Sequence, residues 1–504
     1  MIHEARKNGW EYPRKSEKSR LNNVANQITE GEFYPVYNTV EQTILEHTFS
    51  QNWITFKSAF HRYHPEPGYW QFVESEEICK LIATDLKRCC KLDARSGEYK
   101  FNFFKNNNLK SAFGICNAAL ALSINIQNQH LIAFQNGTYN IETKTLEPHS
   151  RENYLTWGVD ADYVEQESCP EVFKNFITKV FGLEFLDLIR ALISMYVDPS
   201  APYGYFIHLI GDSGSGKGTF LRFLGSLLNT KNVRSIAHFS ELQSPEARHQ
   251  HLTGVKLCIC PDSKAFQGNM TAFYELVDNG TYSGRALYSS DGYEKRWNVR
   301  FALASTNYLA IENAGDGWQR RCIPIPTKSR EGEVDLNLGE KLENCKAGVI
   351  AWALGMPAQE RNQLIKNSSS VAGVADLKSQ QSVFADTVKG FIDSCLHPNA
   401  EAKSLSGQEL FDVYKQYCLY AGHKPKALTN FLKDLGSVLS THKVGGHVKK
   451  EEGKSKRVPV SWERIGINDG LFESGNGLFH PEKLVEGGLE AFESSHNGGL
   501  RLGC

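Results

Sequence analysis

Tyr205-Phe-Ile-His-Leu-Ile210 is an apolar run that opens directly into Gly211-Asp-Ser-Gly-Ser-Gly216-Lys217-Gly218-Thr219, and Phe220 to Leu228 continues at helical spacing. Strand, glycine loop and helix in that order form a phosphate-binding unit. Gly211, Gly214 and Gly216, with Ser215 between them, let backbone N–H groups turn inward around phosphate oxygens, and the helix N-terminus adds its partial positive charge. Lys217 would neutralise the β- and γ-phosphates. The usual pattern places Ser or Thr directly after the lysine, whereas here Gly218 intervenes and Thr219 follows. The expected ligand is ATP, with Thr219 as a magnesium (Mg2+) ligand.

Downstream of this unit the pattern stays that of a parallel α/β sheet, with short apolar strands at Val255 to Cys260 and Val299 to Ala304. The first ends in Pro261-Asp262, which puts a carboxylate at a strand tip, where a magnesium-associated acid belongs. Ser263 stands where many such ATPases carry a second acid, so either another carboxylate serves as base or hydrolysis is slow. The second ends in Ser-Thr-Asn307, which places Asn307 near the γ-phosphate or the attacking water. Between them, Tyr288 to Trp297 carries an Asp291-Gly292 turn signal flanked by Tyr293, Lys295 and Arg296. Rings that stack on bases and cations that neutralise phosphates suit single-stranded DNA. Arg320 and Arg321, ahead of the run Cys322 to Pro326, are placed to reach a nucleotide on a neighbouring subunit, Arg321 first. Each of these has a plainer reading: a turn cap at Asp262, a strand-ending turn at Asn307, a solvated hairpin, surface ion pairing for the arginines.

Taken together, the loop, Asp262, the Arg285 segment, Asn307 and Arg320-Arg321 resemble the superfamily 3 (AAA+) helicases of phage, plasmid and poxvirus replication. Upstream, Ala133 to Gly137 with Pro148-His-Ser, and Cys169-Pro170 with Phe173, look like the helical domain that precedes the motor in that family. The resemblance implies an ATP-hydrolysing DNA helicase that forms a ring, commonly a homo-hexamer, around DNA. It also implies activity in the cytoplasm of a bacterial host, with a separate primase as a partner, since the primase-polymerase domain of many relatives is not seen ahead of the helical part.

The rest of the chain fits a fold of three domains, as 504 residues exceed one ordinary core. An α/β P-loop AAA+ core over 201–366 follows a mainly helical N-terminal domain over 1–200, with the boundary at Asp198-Pro199. A linker over 367–382 leads to a small winged-helix-like domain over 383–467. In that last domain, helical segments at Phe411 to Tyr420 and Leu428 to Leu439 suit a helix-turn-helix. Lys449, Lys450, Lys456 and Arg457 suit a wing that binds DNA phosphates, including those of an origin duplex, without reading sequence; a solvated charged loop is the alternative. The Gly-rich stretch 468–504 reads as a flexible tail.

Composition narrows the classes further. With 56 Lys and Arg against 57 Asp and Glu there is no overall basic field, so a nucleic-acid site must be a local patch. The twelve cysteines show no Cys-x-x-Cys or zinc-type spacing, which points to reduced, buried thiols. No apolar run approaches the ~18 residues of a membrane span. Two other readings stay open: a DNA-binding replication initiator that uses ATP only to assemble, and a small-molecule nucleotide kinase, since Gly-Lys-Gly-Thr occurs there too.

Overall fold

The computed structural model describes residues 24–468, apart from 25, 50–51, 57, 123–127, 264–269, 286–291, 308, 310–314, 330–334, 372, 421–424, 447, 452–453 and 458–459. Its centre is a five-stranded sheet built from β1 (Phe206–Ile210), β2 (Val233–Ser235), β3 (Leu257–Cys260), β4 (Arg300–Ser305) and β5 (Cys322–Pro326). The spatial order is β2-β3-β4-β1-β5, and every pairing is parallel. The connection leaving β1 runs towards β2 at one edge, and the one leaving β4 runs to β5 at the other. Strand C-termini beside such a reversal form the crevice where open α/β sheets take ligands.

Because both faces of the sheet are covered, the strands read as near-continuous apolar runs. Ile207, Leu209, Ile259, Ala302, Ala304 and Ile325 pack into one core. Phe206, Cys258, Phe301, Leu303 and Cys322 pack into a second on the other face, with Phe273 and Trp318. Cysteine serves here as a small apolar residue, and burial pushes the Cys258 and Cys322 thiols up from their ordinary value. Every described cysteine is a free thiol.

Three expectations about organisation change. The boundary expected at Asp198-Pro199 falls inside one continuous core. Phe173, Phe176, Ile189 and Leu192 share that core with Leu221, Leu224, Val349 and Ile350. Helix Glu171–Val180 and helix Leu186–Val197, parted by Gly182 at φ 111°, join that core, and the Tyr196 hydroxyl donates to the Phe301 carbonyl of β4 at 2.6 Å. The N-terminal part also carries sheets among its helices. Helices Val40–Thr48, Ser75–Arg88 and Asn106–Ala119 are accompanied by an antiparallel sheet of Trp53–Phe56, Ala59–His64 and Tyr69–Phe72. The expected hairpin joins Leu131–Phe134 to Gly137–Asn140, but Gly137 is already paired with Phe134, so its two-residue turn is Gln135-Asn136. Finally, most of the expected linker is helix Val374–Ala385, whose Val374 is buried in the main core.

The third domain has its own core around Phe391, Tyr414, Phe431 and Trp462. Helices Thr387–Cys395, Gly407–Tyr420 and Leu428–Val438 pack on a small sheet ordered Leu405–Ser406, Ser461–Trp462, Lys443–Val444. A hairpin of Val448–Glu451 with Lys454–Arg457 projects from the segment between the last two of these strands. Of the stretch read as a flexible tail only Asn468 is described, its N–H donating to the Cys395 carbonyl at 2.9 Å; 469–504 lie outside the described residues. No helix among the described residues is long and apolar enough to cross a membrane.

Candidate nucleotide site

The glycine loop leaves β1 at the C-terminal edge of the sheet. Gly211 (φ 151°), Gly214 (79°) and Gly216 (105°) all take backbone conformations that L side chains avoid. Gly216 has a second reason to be glycine, since a Cβ there would stand 2.8 Å from Val180 Cγ2. The turn it makes starts helix Lys217–Ser226 and directs that helix's free N–H groups to the loop.

Lys217 is 7% exposed. Its ammonium donates to the Asp212 carbonyl at 2.7 Å, to the Gly211 carbonyl at 2.5 Å and to Ser215 Oγ at 3.3 Å. Burial lowers its pKa from the ordinary lysine value, while the charges of Asp212 and Asp262 oppose that shift. Asp262 is exposed at the tip of β3, near enough to act on Lys217. Ser215 Oγ and Thr327 Oγ1 lie 2.7 Å apart, and Ser329 Oγ donates to Asp212 Oδ2 at 2.7 Å, so the segment after β5 braces the loop.

The end of β4 gathers the remaining parts. The Ser305 carbonyl accepts Gly211 N–H at 3.4 Å, and the Ala304 carbonyl accepts Ser263 N–H at 2.7 Å. Ser305 Oγ donates to the Asn307 carbonyl at 2.6 Å. The structure therefore brings Gly211, Lys217, Asp262 and Asn307 to one edge of one sheet. Asn307 itself is exposed there.

Other expected residues sit elsewhere. Thr219 Oγ1 accepts Arg222 Nη2 at 3.2 Å and lines, with Gly214, Ser215 and Gly216, a cavity of about 600 Å³. Helical rotation explains this: one residue past Gly218 turns the hydroxyl by about 100°. The same cavity is walled by Phe176, Val180, Phe223, Leu336 and Leu342. None of these carries a sequence signal for a site, because the fold alone brings residues near 176, 220 and 340 together. Ser263 is buried, with its hydroxyl on the Cys260 carbonyl at 3.3 Å.

Arg321, the first choice for an arginine acting on a neighbour, is held within its own chain. It is 6% exposed, donates through Nε to Asp278 Oδ1 at 2.7 Å and through Nη1 to the Gly317 carbonyl at 2.8 Å, and lies over the Tyr274 ring. Its Nη2 pairs with Asp278 Oδ2 as well. Arg320 is the accessible one, 67% exposed at its side chain and only 3.3 Å from Asp278 Oδ2. Both precede β5, where Cys322 is opposite Phe206, while the loop follows Ile210 opposite Pro326. That separation is about 13 Å of strand, so neither reaches the loop of its own chain.

Tyr293 and Lys295 lie on strand Gly292–Lys295, paired with Tyr282–Arg285. Gly292 is opposite Arg285 and already within the ladder, so Asp291-Gly292 is not the two-residue turn expected; the tip, 286–291, lies outside the described residues. Arg296 is exposed beyond the strand. At the hairpin's root, Asn279 and Asn298, both at φ 54°, exchange hydrogen bonds of 2.8 and 2.9 Å. In the third domain, Lys449 is opposite Lys456 and Val448 opposite Arg457, with Lys450 opposite Ser455.

Residues 42–182 match the family model described as D5 N terminal like. A protein of Acanthamoeba polyphaga mimivirus, named as an inferred helicase, is 24% identical over 368 residues, 66% of this chain. The chain spans 38% of that relative's length. Two solved structures of the NrS-1 C terminal region are 12% identical, each covering 60% of this chain, with 78% and 77% of their own chains covered and TM-scores of 0.35 and 0.36. At those scores the structural likeness carries no argument. The chain is thus similar to a D5 N terminal like segment over residues 42–182 and distantly similar to a viral protein that carries a helicase name.

Proposed function

We propose that this chain is an ATP-hydrolysing DNA helicase. The observation that carries the reading is the convergence of the glycine loop, the buried Lys217, Asp262 and Asn307 on the C-terminal edge of one parallel sheet. Lys217 holds the β- and γ-phosphates, the loop N–H groups surround them, and Asn307 contacts the γ-phosphate or the attacking water. The apolar cavity walled by Phe176 and Leu342 takes the base. Asp262 and the phosphate oxygens would hold magnesium, which supplies charge neutralisation during phosphoryl transfer. The residues present fit that arrangement, since the Asp262 carboxylate is exposed at the tip of β3 beside Lys217 and offers a hard oxygen ligand. Thr219 faces the base side and contacts the nucleotide rather than the metal.

Arg320, exposed and remote from its own loop, acts on the nucleotide of a neighbouring subunit, which supports a ring of copies. Arg320→Ala is expected to cut turnover about 100-fold with ATP affinity nearly unchanged. Arg321→Ala is expected to lower the melting temperature instead, because it strips Asp278 of its main partner. Equal kinetic effects from both would remove the distinction.

DNA contacts two basic elements, the hairpin bearing Tyr293, Lys295 and Arg296, and the one bearing Lys449, Lys450, Lys456 and Arg457. In the second, the ladder register sets Lys449 opposite Lys456. Replacing Lys449 and Lys456 together by alanine is expected to reduce the slope of log affinity against log salt by about 2 on duplex DNA. An unchanged slope would place the contact elsewhere. The origin duplex and a separate primase remain partners of this reading.

The testing experiment is ATP turnover with and without single-stranded DNA, beside displacement of a labelled strand. Stimulated turnover with displacement supports the helicase; absence of ATP binding overturns it. One observation favours a second reading, an ATPase that assembles on DNA without unwinding. Ser263, where a second acid would orient water, is buried and bound to the Cys260 carbonyl. Turnover without displacement would select it.

A further inference from the structure

His208 lies at the middle of the central strand β1 and is fully buried, yet nothing in the phosphate-binding reading uses it. Its Nε2 is 2.7 Å from Ser305 Oγ, and Ser305 Oγ is 2.6 Å from the Asn307 carbonyl oxygen. The direction of this chain follows from the groups themselves. A carbonyl oxygen only accepts, so the single hydroxyl proton of Ser305 goes to Asn307. Ser305 Oγ must then accept from His208, which puts the ring proton on Nε2. Nδ1 is left as a bare acceptor, and it has no hydrogen-bond partner.

Burial pushes the His208 pKa down to about 3, so the ring stays neutral and the chain keeps one polarity at working pH. Its ring meets that of Trp318 nearly at right angles, with centroids 6.0 Å apart and planes at 87°. An apolar side chain would fill the same place on that face of the sheet without leaving a nitrogen bare. The use of the ring therefore lies in its other nitrogen. Ser305 in turn serves two partners, since its carbonyl accepts Gly211 N–H while its hydroxyl holds Asn307.

We propose that His208 and Ser305 are positioning residues that fix the Asn307 backbone, and so aim its amide, relative to the first glycine of the phosphate loop. The inference rests on the ATPase reading and on Asn307 acting at the γ-phosphate. Asn307 follows the strand on an exposed bend, so its orientation is not set by packing. The hydroxyl of Ser305 holds it from within the sheet, and the imidazole fixes the direction of that hydroxyl.

The test is steady-state ATP hydrolysis and nucleotide binding by the full chain for Ser305→Ala, Asn307→Ala and the double variant, with His208→Phe beside His208→Gln. Expected for Ser305→Ala is a kcat lowered about 10- to 100-fold, with KM and nucleotide affinity within about twofold of wild type. The double variant should be no slower than Asn307→Ala alone, because both changes act on one element. His208→Gln, which keeps an N–H donor, should recover most of the kcat lost in His208→Phe, a rescue that a purely packing role would not produce. Wild-type kcat in Ser305→Ala, or effects of Ser305→Ala and Asn307→Ala that multiply, would overturn the relay while leaving the ATPase reading standing. Wild-type protein without turnover would overturn both.

Discussion

Replacement of Lys217 by alanine is expected to lower ATP turnover by at least about 100-fold while leaving the secondary structure in place. The ammonium is buried at the mouth of the loop and is held by the Gly211 and Asp212 carbonyls and by Ser215 Oγ. Without it, phosphate charge developing in a partly desolvated site loses its nearest cation, and losing one preorganised donor of this sort costs roughly 2.7–4 kcal/mol of transition-state stabilisation. The pH dependence has a definite sign. Burial favours neutral lysine and lowers its pKa, whereas bound phosphate favours the charged form. ATP affinity is therefore expected to fall with rising pH, beginning below the ordinary lysine range, by about tenfold per unit once the free-protein pKa is passed. Titration calorimetry across alkaline pH reads this directly. A Lys217→Ala protein retaining more than a tenth of wild-type turnover would remove Lys217 from the chemistry.

The second large effect concerns stability. Arg361 of helix Ala358–Lys366 pairs with Asp198 at the end of helix Leu186–Val197, with side chains 2% and 3% exposed. Arg361 Nη1 is also 3.5 Å from Ser194 Oγ, and Asp198 Oδ1 accepts Ser200 N–H at 2.7 Å. Arg361→Ala leaves a carboxylate buried without its cation, and the expected cost is about 3–5 kcal/mol, read as a lowered urea midpoint. Replacing both partners, as Arg361→Met with Asp198→Asn, should recover most of the loss, because it removes the charge and keeps the acceptor for Ser200. A single variant within 1 kcal/mol of wild type would show that water reaches the pair. A chain of this length need not unfold in one step, so the first transition is the one to compare.

How much of this was legible beforehand varies along the chain for identifiable reasons. The strand, loop and helix at 205–228 were readable because backbone turn chemistry is local: three glycines at positive φ and an apolar run on either side specify the unit without reference to anything distant. Asp262 and Asn307 were readable as strand tips for the same reason, since β3 and β4 are short apolar runs that each end in polar residues. Residues 53–72 were harder. Their aromatic and β-branched residues, with the Gly68 turn at φ 76°, form strands only against one another. The expected linker shows the converse, as Ser- and Gln-rich composition suggests a connector, but Val374 packs in the main core and the segment is helical.

The sequence by itself determined the local make-up of the candidate site: a glycine loop between strand and helix, a lysine at the helix start, and two apolar strands that end near Asp262 and Asn307. Only the tertiary structure decided who stands beside whom. Parallel register placed Gly211, Ser263 and Asn307 on the end of β4. Helical rotation turned Thr219 into the cavity towards Phe176 and Leu342. An acid 43 residues upstream of Arg321, Asp278, engaged that arginine and left Arg320 accessible. The physical reason is common to all three. Local backbone geometry is encoded within a few residues, whereas the partner of a charge or a hydroxyl is set by which distant segments the core brings into contact, and burial then decides which of two adjacent side chains faces water.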